Sequence, residues 1–478
     1  MILPKNVSYI ISKLEQAGFE AYAVGGCVRD TLLDRKPQDW DITTSAKPLQ
    51  IKELFKKTID TGIQHGTVTV MLDHVGYEVT TYRIDGEYED NRHPKKVEFT
   101  DSLKLDLERR DFTINAMAYN DNRGLVDEFG GIKDLKDGII RCVGDAGQRF
   151  DEDALRMLRA VRFAGQLGFA IEEKTREAIV ERADHLKNIS AERIRVELTK
   201  LLVSKEAGRI RDAYKTGMTK YFLPELDAAM QTEQKNPHHI YTVGEHSICG
   251  IELMNCFFGI TSDEKIYDKI PENVLETAKK LAAKMDKKQQ TVLCMTMLLH
   301  DIAKPAVMTV DEKGIGHFIG HPAQSEKMAK KIMRRLTFDN DSISKACRLI
   351  RFHDYRMEDK SRAFRRAVSK IGADIMDMLF LVEYADVLAQ SDMQRDEKLA
   401  KIDAGVKRFE YIMANAQPLS IKDLAVTGSD LIAAGVKPGP KMGEILKAML
   451  DKVLDEPELN TKDGLLNYLK CNSSAIKR

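Results

Sequence analysis

Residues 21–46 read AYAVGGCVRDTLLDRKPQDWDITTSA, and their pattern is strand, glycine turn, helix, strand. Gly25 and Gly26 follow the apolar AYAV, with Arg29 and Asp30 just beyond them. Asp39 and Asp41 flank Trp40, and Ile42 and Thr43 continue a β-like run. Alternate residues of a strand share a face, so Asp39 and Asp41 are expected to project together. Two adjacent carboxylates are costly unless a cation sits between them. Hard oxygen ligands at that spacing suit Mg2+, which binds readily with substrate phosphates. Glycines upstream let backbone amides approach a phosphate closely. A single Asp-x-Asp is usually a turn or a solvated strand end. Joined to Gly-Gly and Arg-Asp in one short unit, it implies the phosphate chemistry of nucleotidyl transfer.

At 478 residues the chain is too long for one core, and three or four domains are expected. A hydrophobic content of 43% with 31% charged residues fits a soluble globular protein. The opening MILPKNVSYIISKLEQ mixes lysines and an acid among its apolar residues, unlike a secretory signal. No apolar run reaches membrane-spanning length, so no membrane partner is expected. Seven cysteines without a Cys-x-x-Cys suggest free thiols in a reducing, cytoplasmic setting. Lys plus Arg and Asp plus Glu both number 74, so any RNA site must be a local basic surface whose binding is salt-sensitive.

The first 140 or so residues mix strand and helix signals, with strands expected at 68–72, 78–82 and 116–119. From Phe150 to about Leu226 the pattern becomes helical, with Leu155, Leu158, Val161, Phe163 and Leu167 forming an apolar stripe. Five segments extend the opening motif. YEVTTYR (77–83) holds Glu78, and DLERRDFTINAMAYN (106–120) holds Arg109, Arg110, Asp111 and Asn115. VDEFGGIKDLKDGIIR (126–141) carries Gly130 and Gly131. RFDEDALRMLRAVRFAGQLGF (149–169) carries Glu152, Asp153, Arg156, Arg159 and Arg162, and ISAERIRVELTKLL (189–202) carries Glu192, Arg193 and Glu197.

In this order the set resembles the class II tRNA nucleotidyltransferases, the CCA-adding enzymes, and their relatives the bacterial poly(A) polymerases. The resemblance implies an α+β protein: a nucleotidyltransferase head with a small mixed β-sheet (1–140), a helical neck (141–225), a helical body (226–405) and a helical tRNA-binding tail (406–478). It implies tRNA, ATP and CTP as partners and Mg2+ as cofactor. Asp39 and Asp41 would hold Mg2+, with Glu78 as third carboxylate. Gly25, Gly26 and Arg29 would contact the triphosphate, and Arg110 and Asp111 the ribose, with Asn115 in the same motif. Asp153 and Arg156, three apart and expected on one helix face, would read the base. Arg159 and Arg162 would touch phosphate or form a solvated face. DTGIQHGTVTVML (60–72) resembles the CCA-adding branch more than the poly(A) branch, and an A-only or C-only enzyme stays open at this point.

A second constellation lies in the body. His246 sits in YTVGEHSI, His300 and Asp301 in MLLHDIAKP, and Asp386 in YADVLAQSD, all in helical-looking segments. Imidazole with carboxylate suits borderline divalent metals. The order His…His-Asp…Asp resembles the HD phosphohydrolase superfamily, and HFIGHP, with His317 and His321, fits the same resemblance. It implies a second metal (Mn, Ni, Co or Mg) and phosphodiesterase or phosphatase action on a 2′,3′-cyclic phosphate or related phosphoester; the alternative is a catalytically idle RNA support. The rival readings are a poly(A) polymerase, a phosphohydrolase with a vestigial transferase head, and a non-catalytic RNA-binding protein.

Overall fold

The computed structural model describes residues 1–85, 97–261, 263–358 and 360–471. The chain divides into two compact units, Met1–Asp227 and Ala228–Arg478.

The first unit opens with helix α1 (Lys5–Gln16), whose Val7, Ile10, Ile11 and Leu14 fall on one buried face at helical spacing. A mixed seven-stranded sheet follows, built from β1 (Ala21–Val24), β2 (Ile42–Thr44), β3 (Thr58–Gly62), β4 (Thr67–Leu72), β5 (Val75–Thr81), β6 (Met117–Asn120) and β7 (Gly124–Asp127). Its order is β3-β4-β5-β2-β1-β6-β7. β2 runs antiparallel to β1, with Ala23 opposite Ile42, and parallel to β5, with Ile42 opposite Val79. Central position explains why every residue of β1 and β2 is buried. Tyr22, Val24, Tyr82, Leu107, Ala116, Ala118 and Val143 form a core cluster of this unit.

Asp39 and Asp41 are not inside a strand, because β2 starts at Ile42. They occupy the extended approach to it. The helical region also departs from expectation. Helix α4 (Ala146–Glu152) ends at Asp153, which has extended dihedrals (φ −143°, ψ 100°), and α5 (Leu155–Leu167) starts afresh. Asp153 Oδ1 accepts from Leu155 N at 3.1 Å, the short-range bond by which aspartate competes with helical pairing. Asp153 and Arg156 therefore do not share a helix face. α5 packs on α6 (Ala191–Leu202). Gly165 permits this approach, since a Cβ there would lie 2.8 Å from Leu201 Cδ1.

The second unit is mostly helical. α7 (Val243–Phe257), α8 (Lys287–Leu299) and α11 (Met376–Leu388) are apolar around most of their circumference and lie buried at its centre. The amphipathic α9 (His321–Arg335) and α10 (Asn340–Phe352) pack beside each other, and α10 also packs on α8. The C-terminal end of α12 (Pro440–Asp455) is held by Arg365 Nε on Leu454 O (2.7 Å) and by Arg366 on both oxygens of Asp455 (2.7 and 3.0 Å). Among the described residues no helix is long and apolar enough to cross a membrane.

Candidate functional sites

The first site forms where β1 and β2 run out. Val24 N donates to Asp41 O at 3.0 Å, which places Asp41 beside the glycine turn. The parallel register of β2 and β5 brings Glu78 next to Asp41 on the neighbouring strand. Asp39, Asp41 and Glu78 are all exposed as residues. Protein packed around the Asp41 carboxyl raises its pKa; Arg110 opposes this, while Glu78 and Asp39 add to it. Three carboxylates from three sequence positions are thus close enough to repel one another. Oxygen-only donors crowded this way fit a hard divalent cation.

Gly25 adopts φ +81°, and a Cβ there would meet Arg110 Nη1 at 3.0 Å, so glycine is what lets that guanidinium lie against the turn. Arg110 and Arg109 both reach Asp106, at 3.4 and 2.7 Å. Asp106 is fully buried on α3 (Leu103–Glu108) and also accepts from Thr43 Oγ1 at 3.0 Å. Burial would raise its pKa, but the two arginines outweigh it and the group stays ionised. Sequence reading passed over Asp106, although its spacing to Arg109 and Arg110 is that of helical ion pairs.

A continuous chain of contacts leads from the glycine turn to the helices. Arg29 donates to Asn115 Oδ1 (2.7 Å) and Asp30 (2.7 Å), and lies 4.9 Å over the Phe163 ring. Asn115 Nδ2 donates to Asp111 Oδ1 (3.0 Å), and Arg159 holds Asp111 Oδ2 (2.6 Å). Phe112 N is a third donor to Asp111 (2.9 Å), so its acceptor capacity is nearly filled. Burial alone would raise the Asp111 pKa, yet Arg159 and Asn115 hold it far below the carboxylate range. Arg162 pairs with Glu197 and lies 3.7 Å over Phe163, and burial lowers its pKa to about 10. Neither Arg159 nor Arg162 is a solvated helix face.

Asp153 and Arg156 have separate partners. Arg193 grips both oxygens of Asp153 (3.2 and 2.7 Å). Arg156 donates to Glu152 (2.6 Å) and to the carbonyls of Arg149 (3.1 Å) and Arg109 (2.9 Å). Arg193 stood in a quoted motif with no role; its bidentate grip on Asp153 gives it one.

The second site gathers His246 from α7, His300 and Asp301 from the end of α8, and Asp386 from α11. His246 Nε2 lies 2.8 Å from Asp386 Oδ1 and 3.2 Å from His300 Nε2. Asp301 also belongs to a second group with His321 (3.2 Å) and His353 (3.6 Å), so its carboxylate is shared by both. His353 was missed, although RFHDYR contains a second His-Asp doublet. His317 stays outside: half-exposed, it bonds Asp311 at 2.9 Å.

All four clustered imidazoles turn Nδ1 to a backbone carbonyl: His246 to Ala389 (3.2 Å), His300 to Met297 (2.8 Å), His321 to Phe318 (2.9 Å) and His353 to Ile350 (2.8 Å). With Nδ1 as donor, Nε2 is the nitrogen left to bind a metal once it carries no proton. The four Nε2 atoms converge on Asp301 and on each other, and Asp301 Oδ1 is buried without a hydrogen bond. Converging imidazole nitrogens with an orphaned carboxylate oxygen fit divalent cations with nitrogen and oxygen ligands. Lys304 Nζ meets Asp301 Oδ2 at 2.7 Å. Burial would discharge His300, but Asp301 and Asp386 keep its pKa up at about 10.

Comparison with known proteins gives a consistent picture. Residues 21–141 match the poly A polymerase head domain, 168–230 the "Probable RNA and SrmB-binding site of polymerase A", and 309–469 the tRNA nucleotidyltransferase domain 2. The CCA-adding enzyme of Lactobacillus delbrueckii subsp. bulgaricus is 54% identical over 212 residues, 44% of this chain and 54% of that protein. That of Lactiplantibacillus plantarum is 56% identical over 194 residues, 41% of this chain and 48% of that protein. The chain spans about half the length of the curated relatives it matches. The structure of the Bacillus stearothermophilus CCA-adding enzyme in complex with CTP covers 100% of this chain and 99% of its own, at 28% identity and TM-score 0.66. A Thermotoga maritima CCA-adding enzyme complexed with tRNA shares the fold at 22% identity and TM-score 0.57, covering 98% of this chain and 96% of its own.

Proposed function

Since the chain belongs to the family of class II CCA-adding enzymes and bacterial poly(A) polymerases, we propose that it is a cytoplasmic CCA-adding tRNA nucleotidyltransferase. The RNA 3′-hydroxyl attacks the α-phosphate of CTP or ATP, and pyrophosphate leaves. The observation that carries this reading is the trio of Asp39, Asp41 and Glu78, crowded beside Arg110 at the glycine turn. Asp39 and Asp41 would hold Mg2+, which supplies charge neutralisation at the triphosphate and lowers the pKa of the attacking hydroxyl. Gly25, Gly26, Arg29 and Arg110 take the triphosphate side. Asp111, Asn115 and Arg159 form one bonded unit that faces the ribose. Asp153 and Arg156 read the base, each held by protein partners instead of by the other. The head, neck, body and tail divide at about 140, 225 and 405.

The deciding experiment supplies a tRNA lacking its 3′ CCA with CTP and ATP, singly and together, and sequences the products. CCA is expected only with both nucleotides. A homopolymer of A would select the poly(A) reading, and addition of only C or only A a half-specific enzyme.

Base reading depends on the Arg193–Asp153 grip, so Arg193→Ala and Arg156→Ala should each lose preference for CTP and ATP over UTP and GTP on the order of a hundredfold, part of the roughly ten-thousandfold that paired polar sites achieve. Incorporation rates for the four nucleotides check this; an unchanged preference ordering and ratio would place the reader elsewhere. Asp111→Asn should narrow the ATP-over-dATP preference by about tenfold, the worth of one hydrogen bond to a charged group. Equal discrimination in variant and wild type would remove the ribose role.

The histidine cluster favours a second activity, hydrolysis of a 2′,3′-cyclic phosphate or related phosphoester at RNA ends. His246, His300, Asp301 and Asp386 would hold one divalent metal, and Asp301, His321 and His353 a second. Nitrogen-rich donors suit Mn, Ni or Co better than Mg.

A further inference from the structure

The metal-capable cluster leaves one histidine over. Four imidazoles spend Nδ1 on a carbonyl and aim Nε2 inward; His239 makes no such Nδ1 bond among the described residues. It stands edge-to-face against His246, with ring centroids 5.3 Å apart at 83°, and belongs to neither ligand group. Its Nδ1 is buried and has no hydrogen-bond partner among the described residues. A buried polar nitrogen without a partner is unfavourable, and a bound ligand can satisfy it.

The position of His239 is imposed by its loop. Ser391 N donates to His238 O and Ser391 Oγ to Pro237 O, both at 2.9 Å, which ties the loop to the chain just beyond α11. Gly316 N donates to Lys235 O at 2.9 Å. Gln234 Nε2 closes the loop on Tyr241 O (3.3 Å). Lys304 Nζ bridges Gln234 Oε1 (2.8 Å) and Asp301 Oδ2 (2.7 Å), clamping the loop to the carboxylate that both metal groups share.

Building on the phosphohydrolase reading above, we propose that His239 is a substrate-binding catalytic residue of the second site, whose Nδ1–H donates a hydrogen bond to a phosphoryl oxygen of the phosphoester. A phosphoryl group seated against the cluster would meet one donor that is not already committed to the protein.

The test uses the full chain loaded with Mn2+, with inorganic phosphate as binding probe and bis-p-nitrophenyl phosphate as substrate. In His239→Ala, metal content should be unchanged, phosphate binding weaker by about tenfold, as for one lost hydrogen bond, and kcat/KM lower by at least as much. His239→Asn, which keeps a donor, should recover part of both. His238→Ala serves as control and should match the wild type: its Nδ1 is also buried without a partner, but only His239 pairs its ring with a ring of the cluster among the described residues. Phosphate binding equal in His239→Ala and wild type, no phosphate binding by the wild type, or loss of metal in both His239 variants would overturn the assignment. A wild type that binds phosphate through His239 yet hydrolyses nothing would keep the assignment and remove the hydrolase reading. Hydrolysis that is indifferent to His239 would do the reverse.

Discussion

Asp41→Ala is expected to slow nucleotide addition by about a thousandfold or more while changing tRNA affinity by less than about threefold, since losing a metal ligand forfeits several kcal/mol of transition-state stabilisation and each 1.36 kcal/mol is tenfold in rate. The structure explains why this loss should not come from unfolding. Asp41 sits at an exposed approach to β2, and protein packing, Glu78 and Asp39 together disfavour its charge. Removing it relieves repulsion, so the melting temperature should stay level or rise, the common trade between stability and activity at functional sites. Single-turnover rates with excess enzyme, alongside tRNA binding and thermal melts, make the check. Addition at near wild-type rate would remove Asp41 from the site. An equal loss of rate and melting temperature would make its role structural.

The second large effect concerns the histidine cluster. His300→Ala with Asp301→Ala should abolish metal binding and phosphoesterase activity while CCA addition stays within about twofold of wild type. Asp301 belongs to both ligand groups, so one carboxylate removes both. The carboxylates of the head lie in the other compact unit. Metal analysis and both assays on one preparation decide it. Parallel loss of addition would make the cluster a support for the head. The pH dependence has a definite sign. His300 in the metal-free protein carries a proton up to about pH 10, because Asp301 and Asp386 outweigh its burial. Metal must displace that proton, so affinity should rise with pH while His300 is protonated and then level off. An affinity that does not rise with pH over any part of the accessible range would show that metal displaces no proton at His300.

Glycine turn, carboxylate pair, RRDFTINAMA and the His-Asp doublet were legible in the sequence because each is local. Residue type and short spacing suffice where neighbours in the chain are neighbours in space. The strands around Val68, Glu78 and Met117 followed from short strand-like runs, and the helical neck from 3.6-residue periodicity. What the sequence did not decide was partnership. Asp153 and Arg156 are three apart and looked like one face, but a local bond from Leu155 N breaks the helix between them and Arg193, forty residues away, takes the aspartate. Asp106, His353 and Lys304 gain their meaning from partners brought near by packing, as when Asp301 joins histidines from three other segments. Local pattern by itself determined the motifs, the element types and the family resemblance. Only the tertiary structure decided which charges meet, because pairing energy depends on distance and burial, and neither is a property of spacing along the chain.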